Sequence, residues 1–331
     1  MNYLIKKEVF WQYILSLRNK YDVIAPVLRN LIKYDYLEKD DRVILETPVY
    51  SARRFFLPDK EVLFNFEDNK IKKENKLEKK RIMFMARTDV SCLYKVGLLF
   101  LSEPQDPYFK DKVDNTLIIE LPITPSKSSF FSSMNLRDYY DIKIMEHDKD
   151  FYVKGRTEKG RSIINNKFKK TKLELEDNTQ SGRLIEIKKF EEHADVFNSP
   201  VWKKWTDKCL SCGACTIACT TCLCFRIEDK LDLPINKGSR IRNISSCQLR
   251  NFSEVAGGFA FRDERERRFK HRILHKLRYF KEKFGEHMCS GCGRCIDVCP
   301  TGIDMVKIVE EINRSKVTEF MSPKDKIKVN Q

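Results

Sequence analysis

The sequence has no apolar run that could cross a membrane; none approaches the roughly 18 residues a spanning helix needs. The longest, such as Val96–Leu101, have the length of buried strands. The chain also lacks Gly-x-Gly-x-x-Gly and Gly-x4-Gly-Lys-Ser/Thr. With neither phosphate-cradling loop present, no NAD, FAD or other nucleotide site is expected in it. No secretory leader opens it either: "MNYLIKKEVFWQYILSLRNKY" breaks its apolar residues with Lys6, Lys7 and Glu8 and reads as an amphipathic helix. The expectation is a cytoplasmic protein. Acidic residues are in deficit, 48 Asp+Glu against 63 Lys+Arg, for a formal charge of +15. That charge suits a lysine-rich solvated surface, an acidic protein partner or an anionic membrane. Nucleic acid is disfavoured, because no recognisable nucleic-acid motif accompanies the basic residues.

What is present points to two domains. The chain has 331 residues, 41% hydrophobic and 34% charged, which is enough for two ordinary cores. Eleven of its twelve cysteines fall between Cys209 and Cys299, and only Cys92 lies outside. A boundary is therefore placed near residue 200, at "FNSPVWKKW". Residues 1–200 read as a mixed α/β domain. "EVFWQYILSLRNKY" has helical spacing, and "DRVILETP", "RIMFMAR", "NTLIIELP" and "DFYVKG" read as strands. "EDNKIKKENKLEKKR" reads as a solvated loop or exposed helix. Residues 201–331 read as a mainly helical, cysteine-rich domain, so the overall class is α+β. In it Phe269, Ile273, Leu277 and Phe280 form one helical stripe. "IDMVKIVEEINRSK" is a second amphipathic helix, followed by a polar tail.

"CLSCGACTIACTTCLC" places six cysteines in sixteen residues. Its spacing admits zinc, a radical-type triplet (Cys215, Cys219, Cys222) or a ferredoxin run (Cys209, Cys212, Cys215, Cys219). A second run, Cys289, Cys292, Cys295 and Cys299 followed by Pro300, repeats the ferredoxin spacing. Zinc sites usually combine two Cys-x2-Cys pairs, not two runs of four. In two-cluster ferredoxins the fourth cysteine of each run ligates the other cluster. One [4Fe–4S] cluster is thus expected on Cys209, Cys212, Cys215 and Cys299, and a second on Cys289, Cys292, Cys295 and Cys219. Small residues between them (Gly213, Ala214, Gly291, Gly293) let the backbone approach. The triplet overlaps a ligand already used and reads as coincidence. Cys222, Cys224 and Cys247 are left over. Either they are small buried residues, or they hold a third iron–sulfur cluster with Asp229 as the fourth ligand. Cys92 reads as a buried hydrophobe. His271 and His275 read as packing histidines, since Arg272 stands where a zinc-protease helix needs Glu.

The chain resembles the iron–sulfur beta subunit of soluble sulfhydrogenases and the similar iron–sulfur subunit of anaerobic sulfite reductases. The resemblance rests on "RRFFLPDKEVLFNF", "RTDVSCLYKVGLLFLSEPQDPYFKDKVDNTLIIEL", "CLSCGACTIACTTCLCFRIED", "SSCQLRNFSEVAGGFAFRDERERRFKHRILHKLRYFKEKFG" and "CSGCGRCIDVCPTGIDM". It departs at Thr220, where the family has Pro, and at Thr88-Asp89, where it often has Cys-Asp. The resemblance implies a relay without catalysis of its own. A flavin- and NAD(P)-binding subunit would exchange electrons with a catalytic hydrogenase or sulfite/sulfur reductase subunit through it. The alternative is a carrier that docks acidic ferredoxin, or one recruited peripherally to a membrane. Metal analysis of anaerobically purified protein should find iron and acid-labile sulfide; zinc without iron would overturn the cluster reading.

Overall fold

The computed structural model describes residues 1–68, 70–73, 77–193, 196–233 and 236–315. The polar tail lies outside the described residues. Twelve strands are found among the described residues: β1 (Asn2–Lys6), β2 (Asp22–Leu28), β3 (Ile32–Tyr36), β4 (Lys60–Glu67), β5 (Lys70–Lys73), β6 (Arg81–Ala86), β7 (Thr116–Leu121), β8 (Ile142–His147), β9 (Asp150–Gly155), β10 (Lys169–Thr171), β11 (Phe225–Asp232) and β12 (Lys237–Ile244).

Eight strands make one sheet in the order β10-β1-β9-β8-β7-β6-β2-β3. Its centre, β2-β6-β7-β8, is parallel, and its flanks are antiparallel. Period-two alternation sends β6 to two cores. Ile82 and Phe84 pack under the N-terminal helix Lys7–Ser16, while Met83 and Met85 face the helix Arg87–Phe100. The second core also takes in Leu223, Phe280 and Met288 from the cysteine-rich half. A third core gathers Trp202, Phe269, Ile273, Leu277 and the helix Met305–Arg314 around Phe130 and Met134. The predicted stripe is buried at all four positions. Each such side chain contributes about 1.5–3 kcal/mol by leaving water.

Several elements differ from the sequence reading. Val96–Leu101 is no strand: Val90, Leu93, Val96 and Phe100 recur at helical spacing and lie on the buried side of Arg87–Phe100. "DRVILETP" forms only isolated bridges, Val43 to Val27 and Glu46 to Thr124, because it crosses the strand ends before Pro48. Part of "EDNKIKKENKLEKKR" is β5, paired with β4. The cysteine-rich half carries a β-ribbon beside its helices. There Phe225–Asp232 and Lys237–Ile244 pair as the β11–β12 ribbon, with Asp229 meeting Arg240 across the strands. That ribbon joins β4 and β5 in one four-stranded sheet, β11-β12-β4-β5. Strand pairing thus crosses the division drawn near residue 200.

One tie between the halves is a buried carboxylate. Asp89, fully buried at the start of Arg87–Phe100, accepts two bonds from the Arg294 guanidinium at 2.6 Å each. It also accepts from the Tyr34 hydroxyl at 2.7 Å and from the Thr220 hydroxyl. Arg294 Nε donates to the Pro48 carbonyl at 2.7 Å. Removing one partner of such a pair leaves an uncompensated buried charge. Asp89→Ala should therefore lose about 3–5 kcal/mol of stability in anaerobic denaturant titrations; a loss below about 1 kcal/mol would contradict this role.

Candidate metal centre

The two cysteine runs fold alike, and an offset of eighty residues superimposes their parts. Each run turns through a glycine in the left-handed region, Gly213 (φ 79°) and Gly293 (φ 83°), into a one-turn helix, Ala214–Ile217 or Arg294–Asp297. Ser211 N–H donates to Cys209 Sγ at 3.3 Å, and Gly291 N–H donates to Cys289 Sγ at 3.3 Å. Cys219 Sγ lies 3.5 Å from the Thr221 hydroxyl, and Cys299 Sγ lies 3.5 Å from that of Thr301. The second run is pressed against residues 128–131. A Cβ on Gly291 would stand 2.7 Å from the Phe131 backbone, and one on Gly293 2.6 Å from that of Ser128. The Gly291 carbonyl accepts from Phe130 N–H at 2.8 Å and from Ser129 Oγ at 2.9 Å.

The cysteines line two cavities. The first is walled by Cys209, Cys212 and Cys215 from the first run with Cys299 and Cys295 from the second. The second is walled by Cys289, Cys292 and Cys295 with Cys219 from the first run. Cys92 borders it and donates to Ser290 Oγ at 3.1 Å. Arg272 borders both. Among the described residues, no three His, Cys, Asp or Glu side chains converge as a single metal ion requires. A donor set of thiols spread round a space fits a polynuclear cluster better than one tetrahedral ion.

The electrostatics suit anionic ligands. Burial pushes the Cys292 and Cys295 thiols up to about 11, against the pull of Arg294 and Arg272 respectively. Arg272 donates to the Cys215 carbonyl at 3.2 Å, and Lys276 Nζ to the Thr221 hydroxyl at 2.9 Å. Burial works against both cations, but neighbouring cysteines outweigh it and raise both above their ordinary values. Off its apolar stripe this helix is largely charged, yet Arg268, Arg272 and Lys276 are buried, and their four-residue spacing was the available signal.

Of the three leftover cysteines, Cys222 neighbours Cys219 of the first run, and Cys224 and Cys247 neighbour each other; Cys224 draws the Cys247 thiol down to about 6. All twelve cysteines are free. Asp229 is not brought to them. It sits exposed on β11, bound by Arg240 through two contacts at 2.7 Å. Five extended residues separate it from Cys224, about 16 Å of strand.

His271 and His275 stack on one another, ring centres 5.4 Å apart. They lie where the helix Arg265–Leu274 passes into a π-helical turn, His275–Tyr279, and on into Phe280–Phe284.

Residues 208–303 match the family described as a 4Fe-4S dicluster domain. All eight cysteines of the two runs lie inside the matched residues. The chain is 28% identical over 337 residues to the sulfhydrogenase 2 subunit beta of Pyrococcus furiosus, covering 95% of this chain and 98% of that protein. It is also 29% identical over 113 residues to the Hdr-like menaquinol oxidoreductase iron-sulfur subunit 2 of Archaeoglobus fulgidus, 34% of this chain and 18% of that protein. No solved structure matches. No helix among the described residues is long and apolar enough to cross a membrane.

The histidines give a pH dependence. Burial, followed by nearby Arg262 for His271 and Lys276 for His275, lowers both from 6.5 to about 4. The unfolded chain then binds more protons than the folded one between these values, so stability falls as pH drops through that window. A His271→Gln/His275→Gln variant should show a shallower loss between about pH 6.5 and 4 in anaerobic denaturant titrations; an unchanged slope would contradict the shift.

Proposed function

We propose that this chain is the iron–sulfur electron-transfer subunit of a sulfhydrogenase-like complex. Cys209, Cys212, Cys215 and Cys299 hold one [4Fe–4S] cluster, and Cys289, Cys292, Cys295 and Cys219 hold the second. The observation that carries this reading is the composition of the two cavities: each is lined by the first three cysteines of one run and the fourth of the other, with Cys295 bordering both. When bound, such clusters supply one-electron transfer, with potentials tuned by charge, burial and hydrogen bonds to sulfur. The chain's own residues hold the ligands in place. Gly213 and Gly293 turn the backbone, and the N–H groups of Ser211 and Gly291 donate to cysteine sulfur.

Electrons enter from a flavin- and NAD(P)-binding subunit and leave to a catalytic hydrogenase or sulfite/sulfur reductase subunit. The likeness to a sulfhydrogenase beta subunit over nearly the whole chain supports this placing. Cys222, Cys224 and Cys247 hold a third iron–sulfur site beside the second cluster. The proximity of Cys222 to Cys219 and of Cys224 to Cys247 supports it. The ion pair of Asp229 with Arg240 speaks against Asp229 as its fourth ligand. Division of the chain near residue 200 remains part of the proposal, as a division of labour with the ligands in the second part.

Single serine substitutions test the crossing. Cys299→Ser should alter the same electron paramagnetic resonance signal as Cys209→Ser, and Cys219→Ser the same signal as Cys289→Ser. Signals that group by run would overturn it. In the same series Cys247→Ser should lower the iron from about twelve to about eight per chain, at four irons per cubane; an unchanged count would remove the third site.

A further inference from the structure

Three cations lie buried among the ligands without a carboxylate of their own. Arg272, Lys276 and Lys95 are 7%, 3% and 0% exposed. Lys276 lines the second cavity and donates to Thr221, two residues after Cys219. Lys95 comes from the other half of the chain, on the helix Arg87–Phe100. Its Nζ donates to the Cys289 carbonyl at 2.7 Å. The groups that favour charge on Lys276 and Arg272 are cysteines: Cys219, Cys222 and Cys289 for the lysine, Cys215, Cys295, Cys222 and Cys219 for the arginine. Burial lowers Lys95 from its ordinary value, and Cys92, Cys289 and Glu286 oppose that; Glu286 makes no ion pair with it, and its Oε1 is bound by Arg137. The contrast with Arg294 is sharp, since Asp89 binds its guanidinium on both oxygens.

The cations are unevenly shared. Arg272 borders both cavities, and its Nε has no hydrogen-bond partner. Arg268, the third buried member of the helical series, is turned to the carbonyls of Gln248, Arg262 and Asp263. Lys276 and Lys95 thus serve the second centre in particular. That centre is also the more enclosed. Cys212 of the first is exposed, whereas none of Cys289, Cys292, Cys295 and Cys219 is, each being half-buried. Each electron taken up adds a negative charge to a centre whose ligands are already anionic. Burial makes that addition unfavourable and lowers the potential, while a cation held close in a low dielectric offsets it.

We propose that Lys276 and Lys95 hold up the reduction potential of the centre bound by Cys289, Cys292, Cys295 and Cys219, keeping this enclosed site reducible beside the more open one. The helix Arg87–Phe100 then does more than cover the cysteines, since it delivers one of the two charges. This rests on the ligand assignment proposed above, and iron content together with the grouping of serine variants tests that assignment separately.

The experiment is an anaerobic potentiometric titration, followed by electron paramagnetic resonance, of the full chain as purified with its complex. Unaltered protein is compared with Lys276→Met, Lys95→Met and the charge-keeping Lys276→Arg and Lys95→Arg. With iron retained, each methionine variant should shift the second centre toward the oxidised form about tenfold at fixed potential, about 59 mV for one electron. The first centre should move less, and the arginine variants should stay near the unaltered value. If a methionine variant loses the second cluster while the matching arginine variant keeps it, the need for the charge is upheld. Full iron with an unmoved potential would overturn the proposal. So would loss of the cluster, or an equal shift, in methionine and arginine variants alike, since packing rather than charge would then be the cause.

Discussion

Asp89 has no water to fall back on. It is fully buried, and every contact it makes ties a different part of the chain to the cysteines. Arg294 lies between Cys292 and Cys295, Thr220 follows Cys219, and Tyr34 belongs to β3 of the large sheet. A carboxylate in such a place is tolerated only when its oxygens are all answered. The two runs are therefore set against each other, and against the α/β half, by one anion. Thr220 and Thr88 are the two places where the sequence departs from the family it resembles, and the structure brings Thr220 into contact with Asp89, the residue after Thr88.

From that fixed point the arrangement of the two runs follows. They are near copies in backbone, with matching glycine turns, matching N–H to sulfur bonds and matching threonines. Their surroundings differ. The first run faces Leu210, Gln248 and the apolar residues Ile303 and Ile308, with Cys212 open to solvent. The second is clamped by residues 128–131 and by Arg87–Phe100, which leaves no room for a side chain at Gly291 or Gly293. One ligand pattern is thus placed in two electrostatic settings, which is how a protein gives chemically identical centres different properties.

The cysteine spacing made the lining of the two cavities legible, because the two matching runs supply it. The strands at Arg81–Ala86, Thr116–Leu121 and Asp150–Gly155 and the helices at Lys7–Ser16 and Met305–Arg314 were legible from periodicity. The ribbon at residues 225–244 was not. Its alternation is carried by charged pairs such as Asp229–Arg240, which look like solvated loop in a linear reading. The same mixture made Asp229 look like a free ligand. Nor could the buried cations be seen, since Arg272 and Lys276 sit in a segment where most positions are charged and only the fold decides which face turns inward. The sharing of one sheet by residues 60–73 and 225–244 is a long-range pairing that no local pattern encodes.

The central claim is that each centre is completed by the fourth cysteine of the opposite run. Its most direct test is a crystal structure of the anaerobically purified protein with anomalous scattering measured at the iron edge. The account predicts one iron peak bounded by Cys209, Cys212, Cys215 and Cys299, and a second bounded by Cys289, Cys292, Cys295 and Cys219. A peak closed by Cys219 on the first run, or by Cys299 on the second, would contradict it.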